Sequence, residues 1–190
     1  MKRAFAARNR LTANLVTALR VAEAGMRVFP VVASRTLKGR WKMSPAFFGS
    51  SLRSSRSAGR IKGWWDVFPD ALPAMLCSEY LVIEAEHYPG GDDGITAMEM
   101  LIAEFGDWPF PPVVLTPVGK QYYFQNQEPL ISSVNFQLPD GINVLGSGNF
   151  VIAPGAILPD GSGWKIDESQ PSSIPELPKW LQEKLRNPSY

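Results

Sequence analysis

Two glutamates one residue apart, at the end of an apolar run, are the side chains best placed to do chemistry in this sequence. Leu81-Val82-Ile83 leads into Glu84-Ala85-Glu86, and on a β-strand residues i and i+2 point to the same face. Two carboxylates set side by side can hold a hard divalent cation, which takes oxygen ligands. The plainer alternative is a pair of strand glutamates facing solvent. Two further stretches stand out downstream: Thr116-Pro117-Val118-Gly119-Lys120-Gln121-Tyr122-Tyr123-Phe124 and Ile142-Asn143-Val144-Leu145-Gly146, the latter running on to Phe150-Val151-Ile152-Ala153-Pro154. The only histidine, His87, follows Glu86 and reads either as a metal ligand or as an ordinary strand-end residue. The lone Cys77 lies in apolar Ala74-Met75-Leu76-Cys77 and reads as a small buried hydrophobe.

A second kind of chemistry is written in the charges. The chain totals only +1, yet fourteen of its 19 basic residues and just one of its 18 acids, Glu23, lie in residues 1–62. Asymmetry of this size points to a polyanionic partner for one half. Residues 34–62 hold Arg35, Lys38, Arg40, Lys42, Arg53, Arg56, Arg60 and Lys62 with no acid, and Trp41, Phe47 and Phe48 are interleaved. Phosphates could be neutralised by Arg40, Lys42, Arg53, Arg56 and Arg60, while bases stack on the aromatic rings. The alternative is a solvated, Ser-rich loop whose charges balance an acidic remainder.

The elements that must position these residues alternate along the chain. The spacing predicts a helix over 9–24, with Leu11, Leu15, Ala18, Leu19 and Ala22 on one face and Gly25 as its stop. Its acid-free start also fits an organellar presequence, but it runs straight into a strand at 27–33 and is read as part of the fold. The basic segment carries little periodicity. A short helix is expected near 58–67, with Trp64 and Trp65 as core anchors, then strands at 74–77 and 80–86. Asp93 is a plausible cap for a helix over 95–105, and Asp92-Asp93 read as cap and turn rather than ligands. A hairpin around Pro117-Val118-Gly119 follows. Strands at 142–145 and 149–153 flank the Gly146-Ser147-Gly148 turn, and Trp164-Lys165-Ile166 adds another. Ser173 with Glu176 offers a capping box for a last helix, although Pro178 re-sets its start.

Composition bounds the rest. A chain of 190 residues with 45% hydrophobic and 19% charged residues is ordinary for a globular domain, burying about 70% of the surface its unfolded form exposes. One cysteine excludes a disulfide framework and a cysteine-rich zinc site, so a reducing cytoplasm is the expected setting. No stretch approaches the ~18 consecutive apolar residues of a membrane span. There is no internal repeat and no interdomain linker, so residues 1–190 read as one α+β domain carrying a basic loop over 34–62.

In order and spacing, these segments resemble the N-terminal domain of bifunctional DNA primase/polymerases (Prim-Pol), within the archaeo-eukaryotic primase superfamily. That family's pattern has a strand ending Asp-x-Asp, a Thr-Pro-Ser-Gly-Gly-x-His-x-Tyr-Phe stretch, and an Ile-Asp-Val-Arg-Gly run before Tyr-Val-Val-Ala-Pro-Pro. Weaker likenesses extend over roughly 15–185. They are Ala24-Gly25-Met26-Arg27-Val28-Phe29-Pro30-Val31, the 54–65 segment ending Trp64-Trp65, Val67-Phe68-Pro69-Asp70-Ala71 and Leu177-Pro178-Lys179-Trp180-Leu181. The resemblance implies a strongly bent mixed sheet with flanking helices and a site in its concave groove. It further implies nucleotidyl transfer by two Mg²⁺ or Mn²⁺ ions, with single-stranded DNA or primer-template and nucleoside triphosphates as partners. A helicase is often joined to this domain. Nothing in residues 1–190 supplies ATPase motifs, so any such motor is expected on another chain or beyond these residues.

The departures fall on the chemistry. The Asp pair reads Glu84 and Glu86, which keep the parity and charge of metal ligands but add a methylene each. The third Asp reads Asn143, and the Arg after it reads Leu145. The second motif is one residue short, so either Gln121 or Tyr122 takes the His position, with Gly119, Lys120 and Gln121 as the expected nucleotide-binding residues. Neither substitute is cationic at neutral pH, and a charge-assisted phosphate contact is about twice as strong as a neutral one. Lys120 could compensate from the same turn. Three functions follow: an active metal-dependent primase or polymerase using Glu84, Glu86 and Asn143, a degenerate member that binds nucleic acid or nucleotides, or a protein-interaction scaffold in a replication complex. The combined losses favour the second.

Overall fold

The computed structural model describes residues 2–37, 39–77, 80–126 and 137–186, with side chains described from residue 13 onward; Lys38 of the basic segment falls outside them. The elements in chain order are α1 (Lys2–Glu23), β1 (Val28–Arg35), β2 (Trp41–Pro45), α2 (Ala58–Val67), β3 (Leu72–Leu76) and β4 (Tyr80–Glu86). There follow α3 (Gly94–Phe105), β5 (Val113–Thr116), β6 (Gly119–Gln125), β7 (Ile142–Leu145), β8 (Phe150–Ile152), β9 (Lys165–Ile166) and α4 (Lys179–Arg186). The fold is α+β, as the sequence implies. Its strands divide into a four-stranded and a five-stranded sheet, and every pair with a defined register is antiparallel. The chain forms two compact units.

The first unit comprises Met1–Leu76 and Phe150–Lys165 and is built on a sheet in the order β2-β1-β3-β8. β1 serves two partners in succession: Val28–Val31 pair with β3, and Val31–Arg35 pair with β2. Its first four residues are buried, as a β-branched and aromatic run between two strands should be. Ala18, Val21 and Ala22 of α1 and Ile61 and Trp65 of α2 contribute to the buried core. Asn14, fully buried, donates to the Ile157 carbonyl at 3.1 Å and accepts from the Ile157 N–H at 2.8 Å. One amide thus satisfies both backbone groups of a residue outside the named strands. The N-terminal helix is therefore an integral element of this unit.

One expectation for this region is corrected. Residues 34–62 are not one irregular loop: the end of β1, the whole of β2 and the start of α2 lie in them. The strands expected on either side of the Gly146-Ser147-Gly148 turn are present, and they part company there: β7 enters the five-stranded sheet, while β8 pairs with β3 in the four-stranded one.

The second unit comprises Cys77–Asn149 and Ile166–Tyr190, and its sheet runs β7-β4-β6-β5-β9. β4 lies between β7 and β6, which explains its near-continuous apolar sequence. Leu81, Ile83 and Ala85 point to one face and pack with Tyr122, Phe124, Ile142 and Val144 against Met98 and Leu101 of α3 and Trp180, Leu181 and Leu185 of α4. The alternate residues of β4, Val82, Glu84 and Glu86, point to the other face. Asp93 caps α3, its carboxylate accepting the Thr96 N–H at 3.1 Å. α4 starts directly after Pro178, whose carbonyl accepts the Gln182 N–H at 3.1 Å. Ser173 and Glu176 stand outside it.

Candidate active site

Register brings the three motif stretches onto one row. Glu84 stands opposite Gln121 of β6 on one side and opposite Asn143 of β7 on the other. Residues directly opposite in an antiparallel pair share a face, so Gln121, Glu84 and Asn143 form a line across three strands. Glu86, two residues on, stands opposite Gly119 on the same face. Tyr122 belongs to the core face with Ile83, so Gln121 is the residue that meets the acidic pair. The ambiguity left by the shortened second motif is thereby removed.

The polar contacts are specific. Gln121, almost fully buried, donates through Nε2 to Glu84 Oε1 at 2.7 Å and accepts from the Tyr123 hydroxyl through Oε1 at 3.2 Å. Asn143 donates through Nδ2 to Glu86 Oε2 at 3.1 Å, and the Tyr88 hydroxyl donates to Glu86 Oε1 at 3.2 Å. Each carboxylate is therefore held by an amide from a neighbouring strand. Tyr88 and Tyr123 escape a motif-based reading, although Tyr88 continues the same parity past Glu86 and Tyr123 lies two residues from Gln121.

Burial dominates the electrostatics. Glu84 is pushed up to about 7, first by burial and then by the Glu86 charge, with the Gln121 hydrogen bond pulling the other way. Burial, reinforced by Glu84, pushes the Cys77 thiol up to about 12. Tyr123 is raised as well, by burial and then by Cys77 and Glu84. Cys77 is thus inert as a nucleophile, in keeping with its apolar setting.

Lys120 does not join this face. It stands opposite Ala85 on the α3 side, where its Nζ lies 2.9 Å from Glu99 Oε1, and that contact raises its pKa. Strand parity separates it from Glu84, so it cannot replace the missing cation there. His87 likewise turns away from Glu86 and sits 3.6 Å from Asp93 Oδ1. Leu145, on the acidic face two residues beyond Asn143, stands opposite Val82, so that end of the row is apolar.

These donors do not fit two divalent ions. The row supplies two carboxylates, one of them held near neutrality, and two amides whose N–H groups already point at carboxylate oxygens. A third carboxylate, needed to balance a four-fold positive charge, is missing from the row. Among the described residues no three His, Cys, Asp or Glu side chains cluster as metal ligands do. The basic residues, in the other unit, are exposed at Arg40, Lys42, Arg53, Arg56 and Arg60.

The Glu84 shift has a measurable sign. A carboxyl whose folded pKa lies above its ordinary 4.5 favours the native state fully below pH 4.5, and that contribution is lost as pH rises through 7. Glu84→Gln, neutral and of the same shape, is expected to stabilise the protein at pH 8 by on the order of 2 kcal/mol, and to change little at pH 4. Urea unfolding at the two pH values measures it. An unchanged pH slope in the variant would place the charge of Glu84 in open solvent.

The family model described as bifunctional DNA primase/polymerase, N-terminal, matches residues 18–180, a span that includes every residue of the row. No curated protein sequence matches. No helix among the described residues is long and apolar enough to cross a membrane.

Proposed function

The chain belongs to the bifunctional DNA primase/polymerase N-terminal (Prim-Pol) family, and from that premise we propose that it binds nucleic acid and nucleotides while nucleotidyl transfer has decayed. The observation that carries this reading is the row Gln121–Glu84–Asn143, where an amide donates to one oxygen of each carboxylate that a pair of cations would need. Two-ion catalysis stabilises both the attacking and the leaving oxygen of an in-line displacement. Two carboxylates, one of them pushed up by burial to about 7, hold a single Mg²⁺ or Mn²⁺ weakly and a pair more weakly still. Gly119 and Gln121 remain the nucleotide-facing residues of β6, and Lys120 is withdrawn from that role by its contact with Glu99. Within this reading the protein works in cytoplasmic DNA replication together with a helicase.

Support for the nucleic-acid half is electrostatic. Residues 34–62 hold eight of the chain's 19 basic residues and no acid, and Arg40, Lys42, Arg53, Arg56 and Arg60 are exposed. Neutralising phosphates releases counterions, so affinity for single-stranded DNA falls steeply as salt rises. Each lost contact flattens the log–log slope by about 0.7. Replacing Arg53, Arg56 and Arg60 together by Ala is therefore expected to flatten the slope by about 2 and to weaken binding at low salt most. Anisotropy of a labelled oligonucleotide over a salt series reads this directly. A slope equal to the parent's would make the segment a solvated surface and end the nucleic-acid reading.

A further inference from the structure

We infer that Phe48 is the base-stacking platform of this domain, on which one base of a single-stranded nucleic acid rests while its phosphates follow the basic 34–62 segment. This rests on the nucleic-acid reading above and names the contact that a purely electrostatic surface would lack. Three aromatic residues are interleaved with the cations, and the structure commits two of them elsewhere. The Arg35 guanidinium lies 3.9 Å over the Trp41 ring, and the indole N–H donates to Asp160 Oδ2 at 3.0 Å. The same Asp160 oxygen holds Arg35 at 2.7 Å, closing a three-residue clamp. Phe47 turns inward and packs on Phe68 and Trp64, with ring centroids 5.8 and 6.1 Å away. Phe48 alone of the three stands fully in solvent.

Its exposure is built into the backbone rather than left to chance. The Ser50 N–H donates to the Phe47 carbonyl and the Arg53 N–H to the Gly49 carbonyl, both at 3.1 Å. Gly49 takes the left-handed φ of +72° that the bend needs. Beyond the turn, Ser54 is buried and bonded by Arg27 at 3.2 Å, and Ser55 exchanges backbone hydrogen bonds with Val28 at 2.8 and 3.0 Å. A turn fastened at both ends holds Phe48 outward, so little order remains to be imposed on binding. Leu52, four residues on, is also exposed.

The charges select the partner. A ring held in water, in a segment that also exposes Lys42, Arg53 and Arg60 and holds no acid, suits a polyanion that also carries flat apolar faces. Unpaired bases offer such faces, and paired bases hide them within the duplex. Stacking on aromatic side chains is tolerant of sequence and independent of charge. Its signature therefore differs from that of the arginines.

The test uses the full chain and a labelled oligothymidylate. Phe48→Ala is expected to weaken binding by about 5- to 100-fold with the salt slope unchanged. Phe48→Trp should retain affinity and show emission quenched by the bound strand beyond any change in the parent. The thermal melt of both variants should match the parent's, because the ring is exposed. If the triple arginine variant flattens the slope while Phe48→Ala binds like the parent, the platform is disproved and the electrostatic reading stands. If neither variant changes binding, both fall. If Phe48→Ala abolishes binding to phosphatidylserine vesicles and leaves oligothymidylate binding untouched, Phe48 is a membrane contact and the inference is overturned.

Discussion

Gly119→Ala is expected to cost at least about 3 kcal/mol of stability, the scale of a clash that no side-chain rotation relieves. A Cβ at this position would lie 1.9 Å from the Ala85 carbonyl oxygen and 3.0 Å from the Glu86 Cα. Both are backbone atoms of β4, so relief requires β6 to move away from β4. That movement would break the ladder that sets Gln121 opposite Glu84. Glycine is needed here for space at a close approach of two strands, with no unusual backbone angle involved. Gly59 and Gly63 of α2 provide the contrast, since a Cβ at either meets nothing within 4 Å. Alanine there should be neutral or stabilising by up to about 1 kcal/mol. Chemical denaturation of the three variants measures the difference. Parent-like stability of Gly119→Ala would mean that β4 and β6 sit further apart than described.

The same pairing explains what could be read from the sequence and what could not. β4 was legible because Leu81-Val82-Ile83 is a buried run and because parity sets Glu84 and Glu86 on one face. α3 was legible from Asp93 and its apolar stripe, and α2 from its tryptophans. β2 is hard to read because Trp41-Lys42-Met43-Ser44-Pro45 has no β-branched residue, alternates over only five positions and ends on a proline; it is an edge strand, and among the described residues its sheet neighbour is β1. The separation of β7 from β8 was hidden for a different reason. A glycine turn reads locally as a hairpin, whereas the partner of β8 lies in β3, and no local signal specifies a pairing at that distance. In the site, a one-residue gap left Gln121 and Tyr122 equivalent until the register set them on opposite faces. The same parity removes Lys120 from the row, which counting along β6 from Gly119 already implies. The acceptance of amide hydrogens by both carboxylates depends on side-chain geometry across three strands, and residue types alone do not carry it.

Template-directed extension of a primer by the unmodified protein is expected to be absent or far below ~1 per second, the lower end of ordinary enzyme turnover, and restoring the family's residues tests why. Glu84→Asp, Glu86→Asp, Gln121→His and Asn143→Asp place the family pattern on a row whose backbone register is already in place. No single change rebuilds the site: Asn143→Asp adds the third carboxylate but leaves Gln121 donating into Glu84, and the other three add no negative charge. Together the changes shorten both acids, remove both amide donors that occupy them, and supply a third negative charge and an ionisable imidazole. Residues of one metal site act as a unit, so the four single variants should gain little. The combined variant should gain on the order of a hundredfold or more in extension with Mg²⁺ or Mn²⁺. A second readout is independent of catalysis. Three carboxylates crowded on one face repel one another, so the combined variant should melt below the parent without divalent ions and recover when they are added, because a ligand that binds only the folded state stabilises it. If the combined variant neither binds metal nor extends, the loss lies outside the row Gln121–Glu84–Asn143. If the unmodified chain already extends primers at enzymatic rates, Glu84 and Glu86 are working ligands despite the amides that hold them, and the decay proposed for this site is wrong.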